Sequence, residues 1–160
     1  MPISVAAIPN THILLAIVQN RAYGSTKVVR FEDKPEVETF EVVLSQEGTA
    51  YDFGFHPRFP ENGYLFIGWN NGKDTRISRF RLDPSTFHLN PDSEVVFLKW
   101  SGNGHNGAAI DFGPDGFLYV TTGDGSTDSD VRLNGQRTDG LHAKLLRIDV
   151  DNPADGKPYS

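Results

Sequence analysis

The chain has 160 residues and no cysteine, which excludes disulfide bonds and thiolate metal sites. Its formal charge of -6 is modest, and its 15 basic residues are scattered rather than gathered into a stripe, so a nucleic-acid partner is not expected. Sixteen glycines, ten prolines and a hydrophobic fraction of only 38% are typical of short strands joined by turns, and they predict an all-β fold.

The start of the chain shows no targeting or membrane signal. A basic segment followed by an apolar stretch and a cleavage site is missing at the N-terminus, so we predict no signal peptide in this chain. No apolar run reaches the length needed to span a bilayer, so we also predict no membrane association.

From the N-terminus onward, three segments repeat one pattern: a proline turn, an apolar strand, a variable loop, and a strand that carries arginine and ends in acid and proline. The first reads AAIPNTHILLAIVQN and KVVRFEDKP, the second FGFHPRFPENGYLFIGWN and RISRFRLDP, and the third IDFGPDGFLYVTTGD and KLLRIDVDNP. The anchors of the pattern are Pro9, Pro57, Pro114, Arg30, Arg79 and Arg147. Because the arginines recur with the repeat, we interpret them as structural.

Further alternating runs, VETFEVVLS and SEVVFLKWS, follow the arginine strands of the first two repeats and bring each to four strands. Four short strands in about 50 residues indicate a β-propeller blade. We predict blade 1 at about 1–48, blade 2 at about 49–104 and an incomplete blade 3 at about 105–160. Since known propellers close with four to eight blades, we interpret the chain as the N-terminal part of a single, longer propeller domain.

This topology places alternate loops on the same face of the propeller. Loops 45–49, 70–75, 101–106 and 123–142 are predicted to share one face, and the proline turns are predicted to lie on the other. His105 lies in the third of these loops, between glycines that permit close approach of a ligand. An imidazole there can act as a general base near neutral pH, although a turn histidine bonded to a carbonyl would have the same position.

The longest loop is acidic. Asp124, Asp128 and Asp130 are hard oxygen ligands by type, but their spacing does not match an EF-hand, so we expect a solvated loop and no metal site. Arg132 and Arg137 are likewise interpreted as solvated loop charges. The remaining histidines, apart from His142 at the end of this loop, fall outside the candidate face and are interpreted as turn residues: His12, His56 and His88.

Four segments in this order, FHPRFPENGYLFI, RISRFRLDP, HNGAAIDFGPDGFLYVTTGDG and LLRIDVD, resemble the glucose/sorbosone dehydrogenases. That family consists of soluble six-bladed propellers that carry pyrroloquinoline quinone (PQQ). The resemblance implies oxidation of an aldose or related polyol, with His105 as the base, hydride transfer to PQQ and an external electron acceptor. It also implies calcium, with ligands beyond residue 160, and a periplasmic or secreted location for the intact protein.

The resemblance also implies a glutamine that contacts the sugar in the loop before the second blade. Counting back without a gap from the FHP motif places Glu47 at that position, whereas Gln46 requires a shift of one residue. We favour Gln46 slightly and keep both. Asn106, in the HNG segment, is assigned with them to substrate or cofactor binding.

Two other functions are compatible with the pattern. A propeller lactone hydrolase would need an axial cluster of carboxylate and asparagine ligands around a divalent metal, and the sequence shows no clear cluster of that type. A non-catalytic propeller that binds a partner is the other alternative, because a fold alone does not determine function.

Overall fold

The structure, a computed structural model, describes residues 1–102, 104–154 and 156–160 and folds them into three antiparallel sheets. The first sheet contains β1 (Pro2–Ala7), β2 (Ile13–Gln19), β3 (Thr26–Glu32) and β4 (Glu41–Gln46). The second contains β5 (Thr49–Phe55), β6 (Tyr64–Asn70), β7 (Asp74–Leu82) and β8 (Leu89–Ser101). The third contains β9 (Gly107–Phe112), β10 (Leu118–Thr122) and β11 (Leu145–Ile148).

Each sheet is a meander, in which strands that follow one another in sequence are hydrogen-bonded neighbours. Among the described residues, two short helical turns interrupt the strands, α1 (Phe59–Asn62) and a 3-10 turn at Asn134–Gln136. The prediction of an all-β, partial β-propeller is therefore confirmed. Asn103 and Asp155 lie outside the described residues.

Side-chain alternation along β6 explains how the sheets stack. Successive residues of a strand point to opposite faces, so Leu65 and Ile67 join a core cluster with the first sheet, whereas Phe66 joins a cluster with the third sheet. All three side chains are buried because the second sheet is covered on both faces. The first sheet differs: its outward-facing Val5 is 57% exposed.

A carboxylate ties the innermost strands of the three sheets together. Asp52 on β5 accepts a hydrogen bond from the hydroxyl of Ser4 on β1 at 2.8 Å and one from the backbone N–H of Ile110 on β9 at 3.0 Å. Both bonds cross between sheets, and bonds to a charged acceptor are stronger than neutral ones. Asp52 therefore fixes the spacing of the inner strands, whose ends carry the candidate site.

The three repeated arginines contact neighbouring strands and loops of their own or an adjacent sheet. Arg30 pairs with Glu41 on β4 and donates to the Thr86 carbonyl of the second sheet. The Arg79 guanidinium lies 4.1 Å from the ring centroid of Tyr64. Arg147 bonds Asp115 and lies 3.6 Å from the ring centroid of Phe117.

His56, in the proline turn of the second sheet, is a buried turn histidine with a defined tautomer. Its Nδ1 accepts the backbone N–H of Arg58 at 3.1 Å, so Nε2 carries the ring proton. Nε2 lies 3.3 Å from Asp151 Oδ1, without the alignment of a hydrogen bond. Only 2% of the residue is exposed, and burial lowers the pKa of His56 below its ordinary value despite the opposing effect of Asp151.

This shift predicts a loss of stability in mild acid. As the pH falls below the ordinary histidine value of about 6.5, the unfolded chain binds a proton before the folded chain does, so the unfolding free energy should fall. The thermal midpoint of the full-length protein should therefore decrease between pH 7 and pH 5, and His56→Gln should flatten that decrease. His88→Gln, at an exposed position, should keep the wild-type slope. Equal slopes in all three proteins would contradict this assignment.

The helices of the described residues include none that is both long enough and apolar enough to cross a bilayer.

Candidate active site

Loops from all three sheets converge on one face around an open cavity of about 750 Å³. The β4–β5 connection contributes Gly48, the start of β5 contributes Thr49, and the β8–β9 connection contributes His105 and Asn106. The other described residues of the wall are Tyr23, Tyr51, Asn70, Asn71, Gly72, Gly102, Gly104, Gly107 and Thr127. The loops that the sequence assigns to one face thus meet at a common cavity.

His105 is held by its backbone and leaves its ring accessible. Its N–H donates to the Ser126 carbonyl at 2.7 Å, and its carbonyl accepts the N–H of Gly125 at 3.0 Å. Both partners belong to the long loop between β10 and β11. Because the side chain is 52% exposed at the cavity wall, the imidazole can meet a ligand without a rearrangement of the loop.

Glycines make this close backbone contact possible. A Cβ atom on Gly104 would lie 1.8 Å from the Ser126 carbonyl oxygen, and one on Gly123 would lie 1.8 Å from the His105 carbonyl oxygen. Neither gap admits a methyl group. The glycines therefore allow the loop that carries His105 to pack directly against the long loop.

The long loop places a carboxylate beside the imidazole. Asp124 Oδ1 lies 3.3 Å from His105 Nδ1, and it accepts the backbone N–H and the hydroxyl of Ser126, both at 2.9 Å. Those bonds, the backbone one foremost, together with the nearby imidazole, lower the pKa of Asp124. The carboxylate is therefore ionised at neutral pH, and a proton on Nδ1 would leave Nε2 as the basic nitrogen of His105.

Asp124 was expected to be part of a solvated acidic loop, and that expectation was wrong. Its side chain is only 16% exposed because the loop folds back over His105. Asp130 also has a structural role: its carboxylate accepts the backbone N–H groups of Asn134 and Gly135. Asp128 is exposed. In the described parts of the chain, no group of three acidic or histidine side chains is arranged to hold a metal ion.

Tyr51 is a cavity residue that the sequence analysis missed. It lies between Ala50, which pairs with Trp69, and Asp52, which pairs with Gly68, so it is the extra residue of a β-bulge. Bulges redirect side chains and are frequent beside active sites. Here the phenol oxygen accepts a hydrogen bond from Asn106 Nδ2 at 2.8 Å. No sequence feature marks the bulge.

The two alternatives for a sugar-binding residue do not line this cavity among the described residues. Gln46 is still part of β4, paired with Thr26, and borders a narrow gap between the first two sheets. Glu47 is exposed in the turn that follows. Gly48 and Thr49 reach the cavity instead. A binding role for Gln46 or Glu47 stays a prediction that this geometry does not support.

The last histidine of the loop and its arginines lie away from the cavity wall. The Nε2 of His142 is 2.8 Å from the Ser101 carbonyl oxygen, which fixes the end of the long loop. Arg137 forms an exposed pair with Asp139 at 2.7 Å, and Arg132 is exposed. These three side chains are loop residues in this structure.

Comparison with known proteins places these features in a family. The sequence model of the Glucose / Sorbosone dehydrogenase family matches residues 1–160. The HIPL2 protein of Arabidopsis thaliana is 29% identical over 76% of this chain and 23% of its own length. The human Hedgehog-interacting protein is 31% identical over 66% of this chain and 17% of its own length.

A solved structure with the same fold is the PQQ-bound form of an aldose sugar dehydrogenase from Streptomyces coelicolor. It superposes with a TM-score of 0.70 at 24% identity and covers 98% of this chain but 48% of its own. This chain therefore spans less than a quarter of the two curated relatives and about half of that structure.

Proposed function

We propose that this chain, which belongs to the glucose/sorbosone dehydrogenase family, forms the substrate side of the active site in a PQQ-dependent enzyme that oxidises an aldose or related polyol. The observation that carries the proposal is the exposed imidazole of His105 on the cavity wall, with an ionised carboxylate, Asp124, 3.3 Å from its Nδ1. This is the arrangement of a general base with a positioning residue behind it.

The composition of the cavity wall supports a neutral, hydroxyl-rich ligand. Its described side chains include three asparagines, two threonines and two tyrosines, and no lysine, arginine, aspartate or glutamate. Amide and hydroxyl groups donate and accept hydrogen bonds without requiring a charged partner. A sugar presents the complementary set of neutral hydroxyl groups.

In the proposed reaction, His105 Nε2 accepts the proton of the substrate hydroxyl as the C–O bond becomes a carbonyl. The same carbon loses a hydride, which carries two electrons. A bound quinone would supply the acceptor for this hydride. The proton on the imidazole then lies beside a carboxylate, and a nearby opposite charge favours the charged form of a base. Asp124 thus stabilises the protonated state that the reaction creates.

The described residues do not supply the groups that would hold PQQ or calcium. The carboxylates of PQQ call for arginine or lysine partners, and the described cavity wall contains neither. Calcium needs six to eight oxygen ligands, and the described residues form no acidic cluster. We propose that both groups are held by other blades of the protein, facing the wall that this chain provides.

The outer face of the first sheet supports a larger propeller. Val5 and Phe40 are 57% and 64% exposed, and they border a mainly apolar groove of about 710 Å³. Since each sheet of a closed propeller packs between two others, we propose that a further blade covers this groove. In this proposal blade 1 is about 1–48, blade 2 about 49–104 and incomplete blade 3 about 105–160, all within one domain.

A second candidate is a non-catalytic propeller that binds a macromolecular partner. It is favoured by the 31% identity to the human Hedgehog-interacting protein, which is named for an interaction rather than a reaction. In such a protein the exposed His105 would have no substrate to deprotonate, and the quinone would not be bound. The periplasmic or secreted location that the family resemblance implies is compatible with both candidates and stays a prediction.

The deciding experiment uses the full-length protein that carries this chain, loaded with PQQ and calcium. We expect it to reduce an artificial dye, as the external electron acceptor, when an aldose is added, and the rate to depend on both sugar and quinone. A folded, PQQ-loaded protein that reduces no dye with any aldose of a broad panel would contradict the dehydrogenase. Lactone hydrolysis that depends on a divalent metal would select the lactone hydrolase instead.

A further inference from the structure

The phenol of Tyr51 is directed into the cavity by the fold of β5. In a regular strand its neighbours Ala50 and Asp52 would share the opposite face, but the bulge inserts Tyr51 as an unpaired residue. The ring is partly buried and forms part of the wall that also carries His105. The phenol and the imidazole therefore border the same space.

The hydrogen bond between Asn106 and Tyr51 leaves the phenol proton available. Asn106 Nδ2 donates to Tyr51 Oη at 2.8 Å, so the phenol oxygen is an acceptor in this bond and keeps its own O–H for another partner. Asn106 Oδ1 is buried and has no hydrogen-bond partner among the described residues. It packs against the preceding loop, since a Cβ atom on Gly102 would lie 2.3 Å from it. In this geometry the amide nitrogen, and not the amide oxygen, faces the phenol.

We infer that Tyr51 is a substrate-binding residue that donates its phenol proton to one hydroxyl oxygen of the sugar, with Asn106 fixing the direction of that bond. The inference rests on the proposed function, because it names a second residue of the same sugar site. The phenol proton needs an oxygen acceptor, and the oxygens of a quinone could accept it as well as a sugar hydroxyl. The described wall around Tyr51 contains no lysine or arginine, which favours the neutral sugar over the carboxylates of PQQ.

Replacing the phenol by a benzene ring tests the bond directly. In the full-length, PQQ-loaded enzyme, Tyr51→Phe should raise the KM for D-glucose by about tenfold, the value of one neutral hydrogen bond. The kcat should stay within about twofold because the base is untouched. The Kd of the protein for PQQ and the thermal midpoint should not change. Tyr159→Phe, at a partly buried tyrosine outside the described cavity wall, is the matched control and should leave KM unchanged.

Deoxy sugars identify the sugar hydroxyl that Tyr51 contacts, and they distinguish a binding role from a purely structural one. The wild type should discriminate against one monodeoxyglucose by about tenfold in kcat/KM, and Tyr51→Phe should lose that discrimination. Asn106→Asp should have the same effect, because a carboxylate only accepts hydrogen bonds and would take the phenol proton from the sugar. A residue that only maintained the fold would affect all deoxy sugars equally.

An unchanged KM in Tyr51→Phe, or unchanged discrimination in Asn106→Asp, would overturn the inference while leaving the dehydrogenase intact. A raised Kd for PQQ in place of a raised KM would also overturn it and assign the phenol to the cofactor. Titration calorimetry of the protein with D-glucose gives a readout independent of turnover. If the wild type neither binds nor oxidises any aldose, the proposed function itself fails.

Discussion

Replacing His105 by alanine is expected to lower kcat for sugar oxidation by about 10³-fold, within the usual contribution of a general base. The imidazole is the only ring nitrogen base among the described residues of the cavity wall. Without it, the substrate hydroxyl would have to lose its proton to water. The measurement is steady-state dye reduction by the full-length enzyme loaded with PQQ and calcium.

Two further readouts make this result specific. PQQ affinity should be unchanged in His105→Ala, because we propose that other blades hold the quinone carboxylates. His88→Ala, at an exposed position outside the cavity wall, should keep full activity. Loss of PQQ binding with little change in kcat of the loaded fraction would reassign His105 to the cofactor. Full activity in His105→Ala would remove it from the reaction.

The fold could be predicted because its determinants are local and repeated. The side chains of Leu65, Phe66 and Ile67 alternate between two cores, and such period-two patterns are visible in the sequence. The proline and arginine anchors mark the same positions in each meander. Hairpin connections then leave only one order of strands, the order that the structure shows.

The site could be predicted only where its chemistry follows from loop position. His105 was identified because glycines flank it and because its loop lies between two sheets. Asp124 was missed because the long loop contains three aspartates, and the sequence does not indicate which of them contacts the histidine. That choice depends on hydrogen bonds between distant loops, such as the bond from His105 N–H to Ser126.

A bulge explains the second failure. Simple alternation assigns Tyr51 and Asp52 to opposite faces of β5. The extra residue in β5 breaks that alternation. A second misplacement concerns the bounds of a loop: the predicted loop 45–49 includes Gln46, whereas cross-strand pairing with Thr26 keeps this residue in β4. Both errors arise because strand pairing is non-local.

Asp124→Asn should be the second most damaging change, with kcat lower by about 100-fold. The amide keeps the size of the side chain but removes the negative charge, 3.3 Å from Nδ1, that stabilises the imidazolium. The side chain is largely shielded from solvent, so water compensates poorly for the lost charge. Since the substrate is not contacted, KM should change little.

A matched variant and the thermal midpoint separate positioning from structural damage. Asp128→Asn changes an exposed aspartate of the same loop and should leave kcat unchanged. The thermal midpoint of Asp124→Asn should stay near that of the wild type, because an amide oxygen can still accept the hydrogen bonds of Ser126. A lower kcat together with a lower thermal midpoint would mean that Asp124 only supports the loop through Ser126. An unmoved kcat would show that His105 works without a carboxylate partner, and the pairing at 3.3 Å would then have no part in the reaction.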